Sequence, residues 1–481
     1  MTPPNRDQLP FVTRRQALQS AACGFGYLAF AGLEGQLRAA QRVDAAPQPL
    51  YVSPRAKRVI FIFMQGGPSQ VDSFDYKPRL ERDNGKQIGF HDARTIANSG
   101  KREATDQRIM QSPWKFRRYG QSGRWVSDLF PEMAKIMDDA CLIRSMQTEG
   151  VAHGPATLFL HTGSTNLIRP SMGSWINYGM GSENNSLPGF VTISPSAGNG
   201  GARNYGNAFL PPSVQGTALG RAGMPASRAT IKNLRNPNLS TADRHKRFEL
   251  LQEINAEQLR KNPGDAELDA AIRSYELAWR MQDQAPDVLD VSKETKSTLE
   301  LYGIDEKKTE NFGRQCLMAR RLCEAGVRYI QVTYGDNTAN PAWDQHSNLP
   351  KHAVHAKAVD KPVAGLMKDL KQRGLLEDTV VWWGGEFGRT PYAQKNGTGR
   401  DHNSNGFSVW LAGGGIKPGV AYGNTDEFGH MAIENTVHMH DLHATILHLL
   451  GLDHERLTYR YAGRDFRLTD VYGDVVHDII G

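Results

Sequence analysis

The chain has 481 residues, 39% hydrophobic and 22% charged, which excludes a disordered protein and allows one large α/β domain with insertions or about two to three ordinary domains. Its formal charge of +6 is spread without a long basic run, and no Lys/Arg cluster is interleaved with aromatic residues, so nucleic acid is not an expected partner. None of the four cysteines (Cys23, Cys141, Cys316 and Cys323) has C-x-x-C spacing; no disulfide framework is expected, and Cys316 and Cys323 read as buried structural thiols of one helix.

In chain order, the first feature is an export signal. Thr13, Arg14, Arg15 and Gln16 precede an uncharged run over 19–33, then Ala-rich sequence with Arg38 and Pro47. Twin arginine, short apolar core and small-residue exit are the export pattern, similar to a twin-arginine leader, although Ala17 stands where a bulky apolar residue is usual. The run is too short for a comfortable membrane span. Residues 1–46 are therefore expected as signal and linker, cleaved between about Ala40 and Ala46. The mature protein is expected in the periplasm or outside the cell, not integral to a membrane.

Residues 50–481 read as one α/β domain. The apolar run 58–64, followed at once by Gln65, Gly66, Gly67, Pro68 and Ser69, predicts a buried central strand of a parallel sheet feeding a functional loop. A shorter strand is expected over 140–146. Residues 238–305, rich in Glu, Gln, Ala, Arg and Leu, predict an inserted helical region with a solvated outer face. A helix over 317–325, a strand over 327–334, a helix over 359–373 stopped by Gly374, strands over 379–384 and 406–412, and a helix over 439–450 stopped by Gly451 complete the alternation. Strands alternating with helices predict an α/β fold with a mostly parallel central sheet flanked by helices.

The chemistry lies in the connections. Asp344 and His346 follow the strand ending at Tyr334, where open α/β sheets build sites; a lone D-x-H would read as surface loop. Glu386 follows the apolar run 380–383 among Gly384, Gly385 and Gly388, with Arg389 near enough to pair with it. Asp401 and His402 form a second carboxylate–imidazole pair in a Gly/Asn-rich loop. Anionic oxygen, imidazole nitrogen and pliable backbone are what a divalent cation needs, zinc foremost, with manganese or calcium as alternatives. The segment His153 to Gly163 opens an apolar helical turn and makes a candidate anion site at a helix N-terminus. His161 reads as packed. His438, His440, His443 and His448 read as core or surface histidines, and Asp441 as a helix N-terminal carboxylate.

In order, these features resemble the alkaline-phosphatase-like superfamily and, within it, domain-of-unknown-function family 1501. The resemblance runs over about 57–469. Its pieces are Gly66, Gly67, Pro68 and Ser69 with Asp72, Phe74 and Asp75; His153 to Gly163; Trp343, Asp344, Gln345 and His346; Gly385 to Pro391; and Gly399, Arg400, Asp401 and His402. It implies a two-metal hydrolase of phosphate or sulfate esters. Carried over, the first metal's ligands are Asp344, His346 and His402, with Asp401 and Glu386 as further ligands or supports. The second site departs from the pattern: Gln65 stands at the first-strand acid, and Glu386-Phe387 where Asp-His is expected. Asp72 or Asp75 is the candidate replacement ligand. Counting back from Thr162 in the sulfatase-like nucleophile pattern puts His153 where Cys or Ser is expected, which argues against a formylglycine sulfatase. An imidazole there forms a phosphohistidine, orients water or binds metal, and the sequence does not choose. Arg389 is expected to offset the charge of the transferred group.

The expected function is thus exported, metal-dependent hydrolysis of a phosphate or sulfate ester, on a small ester or a sulfated or phosphorylated polymer. The rival is a non-catalytic exported binding or assembly protein on the same scaffold. No G-x-G-x-x-G follows the first strand, so an oxidoreductase is not expected.

Overall fold

Nearly continuous apolar runs can be buried on both faces only inside a sheet covered on both sides, and the computed structural model has that architecture. It describes residues 52–481 except 101, 233, 235–237, 339–340 and 395–396; the expected signal, its cleavage site and Cys23 lie outside the described residues. The chain provides β1 (Arg58–Met64), β2 (Ala140–Gln147), α1 (His153–Thr162), α2 (Met172–Met180), β3 (Phe190–Ile193) and β4 (Thr217–Leu219). The long helices α3 (Thr241–Lys261) and α4 (Ala266–Leu289) follow, then α5 (Glu310–Glu324), β5 (Tyr329–Tyr334), α6 (Lys351–Gln372) and β6 (Thr379–Gly384). A hairpin of β7 (Gly388–Ala393) and β8 (Arg400–Asn403) precedes β9 (Phe407–Ala412), β10 (Ala421–Tyr422), β11 (Val437–His438) and α7 (Met439–Leu449).

The main sheet has the order β10-β2-β9-β6-β1-β5-β3-β4, with β11 also against β2. β1 runs parallel to β5 and β6, whereas β9 is antiparallel to both β6 and β2. Two reversals return β2 to the direction of β1, so β1, β2, β5 and β6 all end on one rim.

Alternation along β1 divides the core. Ile60, Ile62 and Met64 join Val332, Trp383 and residues of α5 and α6 on one face, while Phe61 and Phe63 join Trp382 and residues of α1, α2 and α7 on the other. Phe61 and Trp382 stack with ring centroids 3.7 Å apart. Cys316 and Cys323 are buried free thiols in α5, and burial pushes both above the ordinary thiol range.

Element types match the sequence reading, but several boundaries move. α5 starts at Glu310, not at 317, and α6 starts at Lys351 and runs through Pro362. β5 starts at Tyr329 because the Val327 N–H is used to close α5, donating to Leu322 O at 3.0 Å. Gly374 and Gly451 follow their helices with φ of 70° and 82°, as stop residues that need a left-handed backbone. Between β4 and α5, helices α3 and α4 pack against each other, with Phe248 stacked on Trp279 at 4.6 Å. No helix among the described residues is long and apolar enough to cross a membrane.

Candidate metal centre

The shared rim brings distant loops together. β1 feeds Gln65 to Ser69, β2 leads to His153 at the start of α1, β5 leads to Asp344 and His346, and β6 leads to Glu386 and the β7–β8 hairpin carrying Arg389 and His402. Two glycines permit the approach. Gly66, at φ 113°, lies where a Cβ would stand 2.7 Å from Trp343 N and 2.8 Å from Asp344 N. At Gly399 a Cβ would come within 2.3 Å of Gln345 O.

His153, Asp344, His346 and His402 each offer a ligand atom, all within 4.8 Å of one another. Asp344 Oδ1 is the hub: it lies 2.9 Å from His346 Nε2, 3.2 Å from His153 Nε2 and 3.3 Å from His402 Nε2. The His346 and His402 Nε2 atoms are 3.0 Å apart. Outer partners orient two of the rings. His153 Nδ1 is 2.6 Å from Glu386 Oε1, and His402 Nδ1 is 2.9 Å from Val151 O. A protonated Nδ1 donating to each acceptor turns both Nε2 atoms toward the hub, as a bare lone pair on a neutral ring or as an N–H on a charged one, and the neutral form is how imidazole ligands are held for a metal. Glu386 is itself fixed by the Gly66 N–H, which donates to both carboxylate oxygens at 3.0 Å.

This arrangement tests whether a cation fits. An imidazole lone pair facing a carboxylate oxygen is repelled unless positive charge lies nearby. Burial works against charging His153, yet hydrogen bonds to Asp344 and Glu386 outweigh it and raise its pKa. Burial also opposes ionisation of Asp344, but the three imidazoles and Arg389 hold it well below the usual carboxylate range. Burial lowers His402 to about 4, with Arg389 adding to the effect, so that ring is neutral and ligand-competent near pH 7. Arg389 and a protonated His153 bring positive charge to Asp344, and the same donor set could hold a divalent cation in place of the His153 proton.

Several sequence-stated roles change. Arg389 does not pair with Glu386: it is 0% exposed and its Nη2 donates to Asp344 Oδ1 at 2.8 Å. The same Nη2 also meets the carbonyls of Gly66 and Trp343, while Nε donates to Gly67 O and Nη1 to Arg400 O. Arg389 is therefore committed to holding Asp344 and the Gly66–Gly67 turn, not available to a transferred group. Glu386, equally buried, supports His153 and stands outside the four-residue group. Asp401 also stands outside it; its Oδ1 lies 3.5 Å from His346 Nδ1 and 2.8 Å from Arg94 Nη1. Asp72 is engaged by Arg400 at 2.7 Å, and Asp75 by Lys77 at 3.1 Å and by the Thr425 hydroxyl, and both stand outside the four-residue group. Phe387 places its ring 5.0 Å from that of His153 and 4.4 Å from that of His402. Apolar bulk thus packs against both imidazoles.

Of the other histidines, His161 is buried between α1 and the sheet, its Nδ1 bonded to Thr157 O and its ring edge-on to Phe63 at 5.0 Å. His440 and His443 bond to Gly163 O and Leu160 O, and His438 with Asp441 forms the capping box of α7. Sequence reasoning missed Arg94, the Val151 carbonyl and the Gly66 N–H. The first lies in an unpatterned excursion, and backbone groups leave no residue signature.

The model of a family described as "Protein of unknown function (DUF1501)" matches residues 56–480. No curated protein matches the sequence. Among solved structures, the lipoteichoic acid synthase LtaP from Listeria monocytogenes is 10% identical, with 90% of this chain and 79% of that chain covered and a TM-score of 0.35. Alkaline phosphatase from the Antarctic bacterium TAB5 is 10% identical, with 83% and 99% covered and a TM-score of 0.34. Ps i-CgsB in complex with k-i-k-neocarrahexaose is 10% identical, with 83% and 72% covered and a TM-score of 0.36. Likeness at this level says nothing about chemistry.

Proposed function

The chain belongs to the family described as "Protein of unknown function (DUF1501)", and since that description carries no activity, we propose one from the site: an exported, metal-dependent hydrolase of phosphate or sulfate esters. The convergence of His153, Asp344, His346 and His402 within 4.8 Å carries this reading. Asp344, His346 and His402 hold one divalent cation. Imidazole nitrogens with one carboxylate oxygen favour zinc, accommodate manganese, and suit calcium poorly, because calcium takes about six to eight oxygens.

When bound, such a cation polarises an ester oxygen and makes a water acidic enough to attack near neutral pH. The protein's own residues do the rest. Arg389 fixes Asp344, Val151 fixes the His402 tautomer, and Glu386 keeps a proton on His153 Nδ1. His153 Nε2 then takes or returns a proton beside the reacting group, the role its raised pKa supports. His346, 23% exposed, is the most exposed of the four side chains, so substrate enters on its side. The Phe387 ring supports a single-metal site, and the leader-like residues 1–46 support export.

A second reading is a non-catalytic exported binding or assembly protein. The position of His153 Nε2, 3.2 Å from Asp344, favours it: as a fourth ligand His153 would close a tetrahedral shell and make the metal structural. Elemental analysis together with a panel of phosphate and sulfate esters separates the two. We expect one tightly held metal per chain, measurable turnover, and loss of both in His402→Ala. Bound metal without turnover on any ester selects the structural reading.

A further inference from the structure

Arg389 is spent on Asp344 inside the protein, which leaves open what meets an incoming anion at the mouth of the site. The excursion after β1 supplies a cation there. Its strand Gln87–Phe90 pairs with Thr105–Arg108, and Ile109 then bridges to Tyr392 of β7, so the excursion lies along the hairpin that carries His402. Within it, Asp92 caps the short helix Ala93–Ser99, accepting the Thr95 N–H at 2.6 Å through Oδ1 and the Tyr392 hydroxyl at 2.6 Å through Oδ2. Phe90 packs on Tyr392 with ring centroids 5.1 Å apart. These contacts tie the base of Arg94 to the site's own scaffold.

The Arg94 side chain is 41% exposed and spends Nη1 on Asp401 Oδ1 at 2.8 Å. That same oxygen accepts the His402 N–H at 2.8 Å and lies 3.5 Å from His346 Nδ1. The guanidinium is thus two contacts from a metal ligand, on the side of the most exposed one. Its remaining N–H groups have no other hydrogen-bond partner among the described residues. A guanidinium with one edge anchored to a carboxylate and the other edge in solvent is preset to take phosphate or sulfate oxygens.

We propose that Arg94 is the substrate-anion contact of this site and selects esters whose anionic group reaches the rim beside His346. This rests on the ester-hydrolase reading, and it assigns recognition of the anion to Arg94 where Arg389 is committed to structure. The pair with Asp401 also has a purpose in this account: it neutralises Asp401, which would otherwise repel the same anion.

The test is calorimetric titration of the zinc-loaded, full-length protein with inorganic phosphate, beside a zinc-affinity measurement on the same variants. Arg94→Ala is expected to raise the phosphate dissociation constant about tenfold with zinc affinity unchanged, and Arg94→Lys to recover part of the loss, keeping the charge without the fork. Unchanged phosphate affinity in Arg94→Ala overturns the proposal. So does weaker zinc binding with normal phosphate binding once zinc is saturating, because Arg94 then merely steadies Asp401. If the zinc-loaded wild type binds no phosphate, the ester-hydrolase reading itself fails.

Discussion

Asp344→Asn is expected to release the metal, abolish ester hydrolysis and destabilise the metal-free protein, three losses from one substitution. The reason is that Asp344 Oδ1 is shared by His153, His346, His402 and the buried Arg389. An amide supplies no negative charge to the cation, so affinity should fall by more than the roughly 10–100-fold typical of losing an outer partner. It also leaves a buried guanidinium without its counter-ion, a change that costs about 3–5 kcal/mol in other buried pairs. Here the loss should lie at the low end of that range, since Arg389 keeps four backbone carbonyls as acceptors. Zinc content by elemental analysis and urea unfolding of the metal-free proteins read the two effects separately. A variant that keeps its metal would show that Asp344 is no ligand.

Glu386→Gln should weaken zinc binding by about 10–100-fold while leaving all four inner groups in place. The amide oxygen still accepts the His153 Nδ1–H, but the charge that makes this ring basic is gone. The pH dependence follows. Burial lowers the basicity of His153 and hydrogen bonds to Asp344 and Glu386 more than restore it, so its folded pKa lies above the unfolded value. Stability from this proton is complete below the unfolded imidazole pKa and is lost as pH rises through the folded one. The charged His153 bonds to Asp344 Oδ1, the oxygen that a cation must also take, so zinc affinity of the wild type should climb with pH until His153 has titrated. In Glu386→Gln the climb should end at lower pH. Zinc titrations across pH 5–9, in buffers of different ionisation enthalpy, check this through the protons released. An identical pH dependence in wild type and variant would mean that Glu386 does not govern the His153 proton.

Much of the fold was legible because burial on both faces leaves a simple mark. Arg58–Met64 and Thr379–Gly384 are almost unbroken apolar runs, and both are central strands. The resemblance to domain-of-unknown-function family 1501 also holds, since the family model spans nearly all of the described chain. Boundaries were less legible. Helix α6 carries Pro362 and begins before its apolar periodicity becomes regular, so periodicity alone marks its start too late.

The site was legible in residue types more than in pairings. Asp344, His346, His402 and His153 stand out as carboxylate and imidazole in polar, Gly-rich connections, and the structure brings them together. Which groups pair depends on strand order, which local sequence does not carry. Arg389 lies three residues from Glu386 yet meets Asp344, because the hairpin turns it under the Gly66–Gly67 loop. Asp72 and Asp75 looked like spare ligands for want of visible partners, but Arg400, far along the chain, takes the first. Arg94 shows the limit most clearly, since nothing in residues 83–110 marks its place above the β7–β8 hairpin.

The central claim is that distant loops converge to grip one cation. X-ray diffraction from crystals of the zinc-loaded protein, collected on both sides of the zinc absorption edge, tests it directly. One anomalous peak enclosed by Asp344 Oδ1 and the Nε2 atoms of His346 and His402, about 2.0–2.2 Å from each, is the predicted result. A map without a peak at that point, or with zinc bound elsewhere while the three side chains hydrogen-bond only to one another, would contradict it.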